Sequence, residues 1–272
     1  MKLPQVKLRD KSISRLILGS NPISGFSHLS AEKDREMVDY HTTQNVKRLF
    51  DECLANGINT FQARGDRHIM RVLNEYWNER GNIQWIAQTA SEVRDFRANI
   101  ESIAKNKAIA IYHHGTYVDN LWHAGRISEI EDTLKIIRST GLPVGLGTHM
   151  PEVIRHAEDN SWDVDFYMTS FYNLAKQAKH MQATEGFKEE TFDDSDSEAM
   201  ISQIRRTSKP CLAFKVLGAG RKTSSRKELT RAFSYAFKNI KPIDAVVVGM
   251  FQKYKNEVRE NAGIVRQILS GS

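Results

Sequence analysis

The fold class this sequence predicts is α/β: a closed (β/α)8, or TIM, barrel of eight parallel strands, each followed by a helix. Three observations lead there. Eight short apolar runs (LILG, INTF, IQWIA, AIAIY, PVGLGT, VDFYMTSF, CLAF and AVVVG) alternate with helical patterns. They are apolar almost throughout, as parallel strands buried on both faces must be. The 272 residues also suit a barrel, typically about 250 residues, and no Pro/Gly/Ser-rich linker divides them. One domain over 1–272 is therefore expected. The other α/β option, a doubly wound sheet, carries an early GxGxxG-type turn, which this chain lacks.

Each element follows from local pattern. VKLRDKSISRLILG holds two short strands around Asp10-Lys11, a hairpin expected to cap the barrel floor, and RLILGS is the first barrel strand. A long polar connection from Asn21 to about Gln44 follows. NVKRLFDECLANG has helical spacing (Val46, Leu49, Phe50, Cys53, Leu54) and stops at Gly57. INTFQA with HIMRVLNEYWNERG, and IQWIAQTA with VRDFRANIESIAKN, repeat the strand–helix unit. AIAIYHHGT is a strand, a loop carries His123, and ISEIEDTLKIIRSTG is a helix with Ser128 and Glu131 spaced as a capping box. PVGLGT leads to the helix PEVIRHAEDN, with Pro151 in its first turn. VDFYMTSF, CLAFKVLG and AVVVG complete the ring. Residues 174–195, polar and carrying Glu189, Glu190, Asp193 and Asp194, are expected to form a mobile lid.

Composition narrows the function classes. Apolar content of 40% and charged content of 26% are ordinary for a globular chain. No apolar run approaches the ~20 residues that cross a bilayer, and the start lacks a secretory core, so a cytoplasmic protein without membrane contact is expected. The net charge of +6 is spread along the chain without a nucleic-acid motif. A small-molecule partner is expected instead, with no nucleic acid. Lys215, Arg221, Lys222, Arg226 and Lys227 form one local concentration that suits an anionic small ligand or a solvated surface. Cys53 and Cys211 read as buried free thiols.

Strand ends of a parallel barrel converge on one face, where active sites are built. Candidates there include Gln62, Arg64, Asp66, Arg67 and His68 after INTF, and Gln88 after IQWIA. His113 and His114 follow AIAIY, His149 follows PVGLGT, and Tyr172 follows VDFYMTSF; Lys215 closes CLAFK. Adjacent strand residues point opposite ways, so only one of His113 and His114 faces the mouth; that one would polarise a carbonyl or transfer a proton. Asp66 is either a helix cap or a general base. Arg64 or Arg67 could clamp a carboxylate or phosphate. Lys215 in an apolar strand needs an ionic partner or a lowered pKa, and Tyr112 and Tyr172 are further proton donors. His113 or His114, His149 and Asp66 or His68 make an alternative Zn²⁺ or Mn²⁺ set, although no tight ligand spacing is present.

The ordered set of pieces resembles the aldo-keto reductase superfamily. VKLRDKSISRLILGSN resembles its opening hairpin and first strand, ANGINTFQA its "G-I-N-x-x-D-x-A", and AIAIYHH its strand ending in a functional histidine. GLPVGLGTH is similar to the strand ending in Gly-x-Ser-Asn, SFYN to its Tyr-Asn, and FKVLGAGR to its "P-L-x-x-G" loop. VVVGMFQKYKNEVREN is similar to its closing "G…EN" segment. The resemblance implies a nicotinamide cofactor, NADP more than NAD. Thr148, His149 and Asn173 would hold the nicotinamide end, and Lys215, Gly218, Gly220, Arg221 and Lys222 the pyrophosphate. Gly249, Lys253, Arg259, Glu260 and Asn261 would take the adenosine end. It also implies a Tyr/Lys/Asp/His constellation, and here the chain departs. Gln62 stands at the Asp position, Gln88 at the Lys position, and the Tyr position falls near Asp66 or Arg67.

Neither glutamine supplies the charge that tunes a tyrosine proton donor. The sequence therefore predicts an aldo-keto-reductase-like, NAD(P)-linked oxidoreductase with a non-standard site. His113 or His114 would orient a small carbonyl or sugar-like substrate, with Asp66, Tyr172 or Lys215 as substitute proton-transfer groups and Gln62, Arg64, His68 and Gln88 as substrate contacts. A metal-dependent sugar isomerase, epimerase or lyase, and a non-catalytic ligand-binding barrel, are the alternatives.

Overall fold

A hairpin opens the structure, a computed structural model that describes residues 3–79, 81–90, 93–176 and 192–271. Strands β1 (Gln5–Leu8) and β2 (Lys11–Ser14) pair antiparallel, Leu8 opposite Lys11. Val6, Leu8 and Ile13 are buried in one cluster with the barrel residues Ile17, Ile86, Ala110, Phe166, Leu212 and Ala245. The hairpin thus plugs the floor, as its pattern predicts.

The barrel begins with β3 (Leu16–Gly19), followed by α1 (Ala31–Tyr40), α2 (Thr43–Ala55) and β4 (Thr60–Arg64). Next come α3 (Arg67–Glu79), β5 (Gln84–Gln88), α4 (Phe96–Lys105), β6 (Ala110–His113), α5 (Gly115–His123) and α6 (Ile127–Ser139). Then β7 (Val144–Thr148), α7 (Pro151–Asp159), β8 (Phe166–Ser170) and α8 (Asp194–Arg206) lead to β9 (Cys211–Phe214), α9 (Arg226–Asn239), β10 (Ala245–Gly249) and α10 (Glu257–Ser270). The eight strands β3 to β10 close in sequence order, β9 pairing β10 and β10 pairing β3, every ladder parallel. This is the (β/α)8 barrel.

Strand alternation divides the core in two. Ile17, Ile86, Tyr112, Phe166, Met168, Leu212 and Val247 fill the interior. Leu18, Phe61, Trp85, Ile111, Leu146, Tyr167, Ala213 and Val248 meet the helices. Each helix answers with an apolar stripe, such as Ile69, Met70, Val72, Leu73 and Tyr76 on α3, each large side chain contributing roughly 1.5–3 kcal/mol on burial. Cys53 and Cys211 are buried free thiols. Among the described residues no helix is long and apolar enough to cross a membrane.

Four local expectations need correction. The connection after β3 contains a helix, α1, capped by the Ser30 side chain accepting from the Lys33 N–H at 3.2 Å. The segment carrying His123 is α5, a helix. Helix α6 starts without a side-chain cap at Arg126, which ion-pairs Glu129, and Ser128 lies inside the helix rather than at its boundary. Lys215 lies one residue beyond β9, its φ of 59° breaking the strand. Of the expected lid, residues 177–191 lie outside the described residues, and α8 begins at Asp194.

One glycine decides how α5 sits. An ideal Cβ on Gly147 would lie 2.9 Å from the His113 carbonyl oxygen and 3.0 Å from the Gly115 nitrogen. Backbone occupies that space, so only glycine lets the first turn of α5 close onto β7.

Candidate active site

Strand parity separates the two histidines. His113 points into the helix layer, fully buried, its ring 5.4 Å from both Phe96 and Tyr117. Its Nδ1 lies 3.1 Å from the Thr89 hydroxyl, and its Nε2 has no hydrogen-bond partner among the described residues. His114 takes the other face and feels the charges of His149, Arg64 and Lys215 at the mouth. The catalytic assignment of His113 is therefore corrected: it has no access to a substrate.

Burial holds both rings neutral, each pushed down to about 3, with neighbouring positive charge adding to the effect at His114. The unfolded chain takes up these protons near 6.5 and the folded chain only near 3. Stability present above pH ~6.5 is thus lost as pH falls, by up to about 1.4 kcal/mol per pH unit for a fully buried ring. The urea midpoint is expected to drop steadily between pH ~6.5 and ~4.5. His113→Leu should flatten that slope; an unchanged slope would contradict the assignment.

Beneath the mouth, Gln62 Nε2 donates to the Tyr112 hydroxyl at 2.7 Å, and that hydroxyl donates to Gln88 Oε1 at 2.6 Å. Desolvation raises the Tyr112 pKa. The two glutamines therefore hold a neutral phenol between them. This floor orients a dipole and has no ready proton to give.

The strongest polar centre is one the sequence reading missed. Asp119, on α5, is fully buried and accepts from His149 Nδ1 at 2.7 Å, from the His149 backbone N–H at 3.1 Å and from the Thr148 hydroxyl. These donors fix the His149 ring and its tautomer, committing Nδ1–H to Asp119 and leaving the chemistry to Nε2. Burial lowers the His149 pKa and the Asp119 hydrogen bond raises it, with a net fall. The ring meets Phe214 edge-on at 5.4 Å.

A cavity of about 340 Å³ runs from Gln62, Phe214 and Lys215 to Tyr254, Lys255 and Asn261, passing Gly19, His28 and Gly249. Its size falls in the ~300–1,000 Å³ range of ligand sites. It lies over the ends of β3, β9 and β10, where barrels commonly hold phosphate. Gly218, Ala219 and Gly220 adopt φ values of 58°, 51° and 90°. This left-handed run bends the loop after β9 around the cavity wall.

The remaining predicted residues are placed as follows. Asp66 caps α3 through the Ile69 N–H at 2.9 Å and pairs Arg64 Nε at 3.0 Å, so its charge is already engaged. Arg67 and His68 are exposed. Tyr172 is buried, donating to Asp194 at 3.0 Å beneath Lys222, and its pKa is raised, burial being the main cause. Asn173 accepts from the Ala175 N–H, and Lys222 pairs Asp194. Arg221 stacks 4.0 Å over Phe192 and reaches the His28 carbonyl. Lys253 pairs Glu36 at 2.8 Å, while Arg259 is exposed. Of the residues assigned to cofactor, Lys215, Gly220, Gly249 and Asn261 line the cavity, and His149 meets its wall through Phe214. The His113, His149 and Asp66 metal set does not form, because His113 faces away and Asp66 is paired. Among the described residues no group of three metal-ligating side chains is gathered.

No family model matches the chain, and no curated protein matches it. Solved structures do. A protein of Pseudomonas aeruginosa assigned to the aldo-keto reductases is 17% identical, with 97% of this chain and 96% of that one covered at a TM-score of 0.63. A mutant of Gox0644 in complex with NADPH is 10% identical, covering 100% and 94% at 0.60. A truncated 3-deoxy-D-arabino-heptulosonate 7-phosphate synthase of Thermotoga maritima is 12% identical, covering 99% and 92% at 0.56. At these identities the likeness is one of fold.

Proposed function

We propose that this barrel is an oxidoreductase that binds NADP(H) along the cavity and reduces a small polar carbonyl compound at its Gln62 and Lys215 end. One observation carries the reading. A trough with a basic, left-handed loop on its wall leads to a floor of hydrogen-bonding groups, beside a histidine whose tautomer a buried carboxylate fixes. The fold neighbours, aldo-keto reductases and an NADPH complex among them, support it.

The residues suit the cofactor. Lys215 and the backbone of Gly218–Gly220 would face its phosphates, where left-handed glycines allow close approach. Asn261, Tyr254 and Lys255 would take the adenosine end, the lysine favouring a 2′-phosphate. Phe214 offers an apolar face beside His149. The bound cofactor supplies a hydride. His149 supplies the proton from Nε2 to the carbonyl oxygen, and Asp119 stabilises the imidazolium before the transfer. Gln62, locked by Tyr112, orients the substrate's polar edge. Proton donation thus moves from the tyrosine expected of such barrels to a histidine–aspartate pair.

NADPH titrated into the protein should give saturable fluorescence enhancement with micromolar affinity, and NADH should bind more weakly. Absence of saturation at high micromolar NADPH sinks the reading. The uncharged Gln62–Tyr112–Gln88 floor favours a second reading, a ligand-binding barrel without turnover. Tight NADPH binding with no oxidation across a panel of carbonyl compounds would select it.

A further inference from the structure

Residues 21–40 join β3 to α2 by way of α1 and form one wall of the cavity. Phe26, Ser27, His28, Leu29, Lys33 and Met37 line it from this segment. The sequence AEKDREMVDY is polar almost throughout, and Met37 alone is buried among the described residues of α1. Helices α2 and α3 each bury five. Helix α1 also packs only weakly on the other elements. A segment with so little apolar burial opens at a low free energy.

Polar contacts hold it in place. Lys33 Nζ reaches Glu36 Oε2 at 2.8 Å, Lys253 Nζ reaches Oε1 at 2.8 Å, and the Tyr254 hydroxyl donates to Oε1. Lys33 Nζ also lies 4.7 Å over the Phe251 ring and 5.1 Å over the Tyr254 ring. Phe251, Lys253 and Tyr254 belong to the loop between β10 and α10. Hydrogen bonds from Lys253, Lys33 and Tyr254 bring the Glu36 carboxyl down to about 2, so the contact is ionic at neutral pH. A second pin reaches the loop after β9, where Arg221 Nη2 donates to the His28 carbonyl at 3.1 Å. Phe26 and Leu29 line the cavity yet stay 49% and 56% exposed. A ligand beneath them would cover apolar surface that otherwise meets water.

We propose that residues 21–40 are a strap that opens to admit the ligand and closes over it, with Glu36 clasping it to Lys253 and Tyr254. Opening breaks these two contacts, while Lys33, on the same helix, travels with Glu36. Closing over an occupied cavity buries Phe26 and Leu29, and that gain lets a ligand favour the closed state. Opening precedes both entry and exit, so the clasp slows both. The inference rests on the oxidoreductase reading only for the ligand used, NADPH.

Amide exchange and stopped-flow NADPH binding test it on the native chain, Glu36→Gln and Asp39→Asn. Asp39 is exposed on the same helix, so its variant makes the same charge change away from the clasp. Without ligand, Glu36→Gln should speed exchange over residues 31–40 by about fivefold, the upper range for a partly exposed ion pair. It should raise NADPH association and dissociation rates together, also by about fivefold, with affinity held within about twofold. NADPH should slow exchange over the same residues in the native chain, and Asp39→Asn should behave as the native chain does. Exchange unchanged in Glu36→Gln, or an equal response of Asp39→Asn, overturns the inference. Faster association with slower dissociation overturns it too, because charge alone acts in that way. If Glu36→Gln loosens α1 but NADPH does not bind, the clasp stands and the cofactor reading fails alone. If NADPH binds with the same rates in that variant, only the strap fails.

Discussion

Asp119→Ala should destabilise the protein by about 3 kcal/mol or more, because it takes the acceptor away from three buried donors. The carboxylate receives two N–H donors from His149 and the hydroxyl of Thr148, all without access to water. Alanine strands the three together, and each buried donor left unmade costs roughly 1–3 kcal/mol. Asp119→Asn keeps the shape and part of the bonding, so its loss should be the smaller. Denaturant unfolding of both variants measures the difference. A loss under ~1 kcal/mol for alanine would mean that water replaces the carboxylate, and that the site is wetter than its burial implies.

His149→Asn should reduce turnover of any carbonyl substrate by about 10²- to 10⁴-fold, the usual contribution of a positioned general acid. NADPH affinity should change little, because the asparagine amide can still donate to Asp119 and keep the end of β7 in place. Stopped-flow measurement of NADPH oxidation, beside a binding titration, separates the two effects. Turnover that survives the substitution would move proton transfer to His114. A matching loss in cofactor affinity would instead make His149 a cofactor contact, as its place in the GLGTH segment first suggested.

How much of this was legible follows from the range of each physical signal. Burial on both faces of a strand writes itself into consecutive residues, so runs such as AVVVG and PVGLGT give the ring directly. Parity along β6 shows that His113 and His114 part company. Which of them turns inward depends on the pairing of β6 with its neighbours, and only the closed sheet sets that. Helix α5 went unread because its nine residues mix polar and apolar side chains without a long stripe. With it went Asp119, an aspartate indistinguishable in sequence from a solvated one. Asp66 has a local partner, and its cap to Ile69 was visible as an alternative. Gln62 and Gln88 were noticed as departures from a family pattern, but the phenol they share comes from a third strand.

By itself, then, the order of residues determined the barrel, its plugged floor and the rim on which polar groups collect, because those follow from periodicity within a dozen neighbours. Only the tertiary structure decided that Asp119 answers His149 across thirty positions, and that Tyr112 locks the two glutamines. Desolvation gives such contacts their strength, and it exists only after the ring has closed and the helices have shut out water.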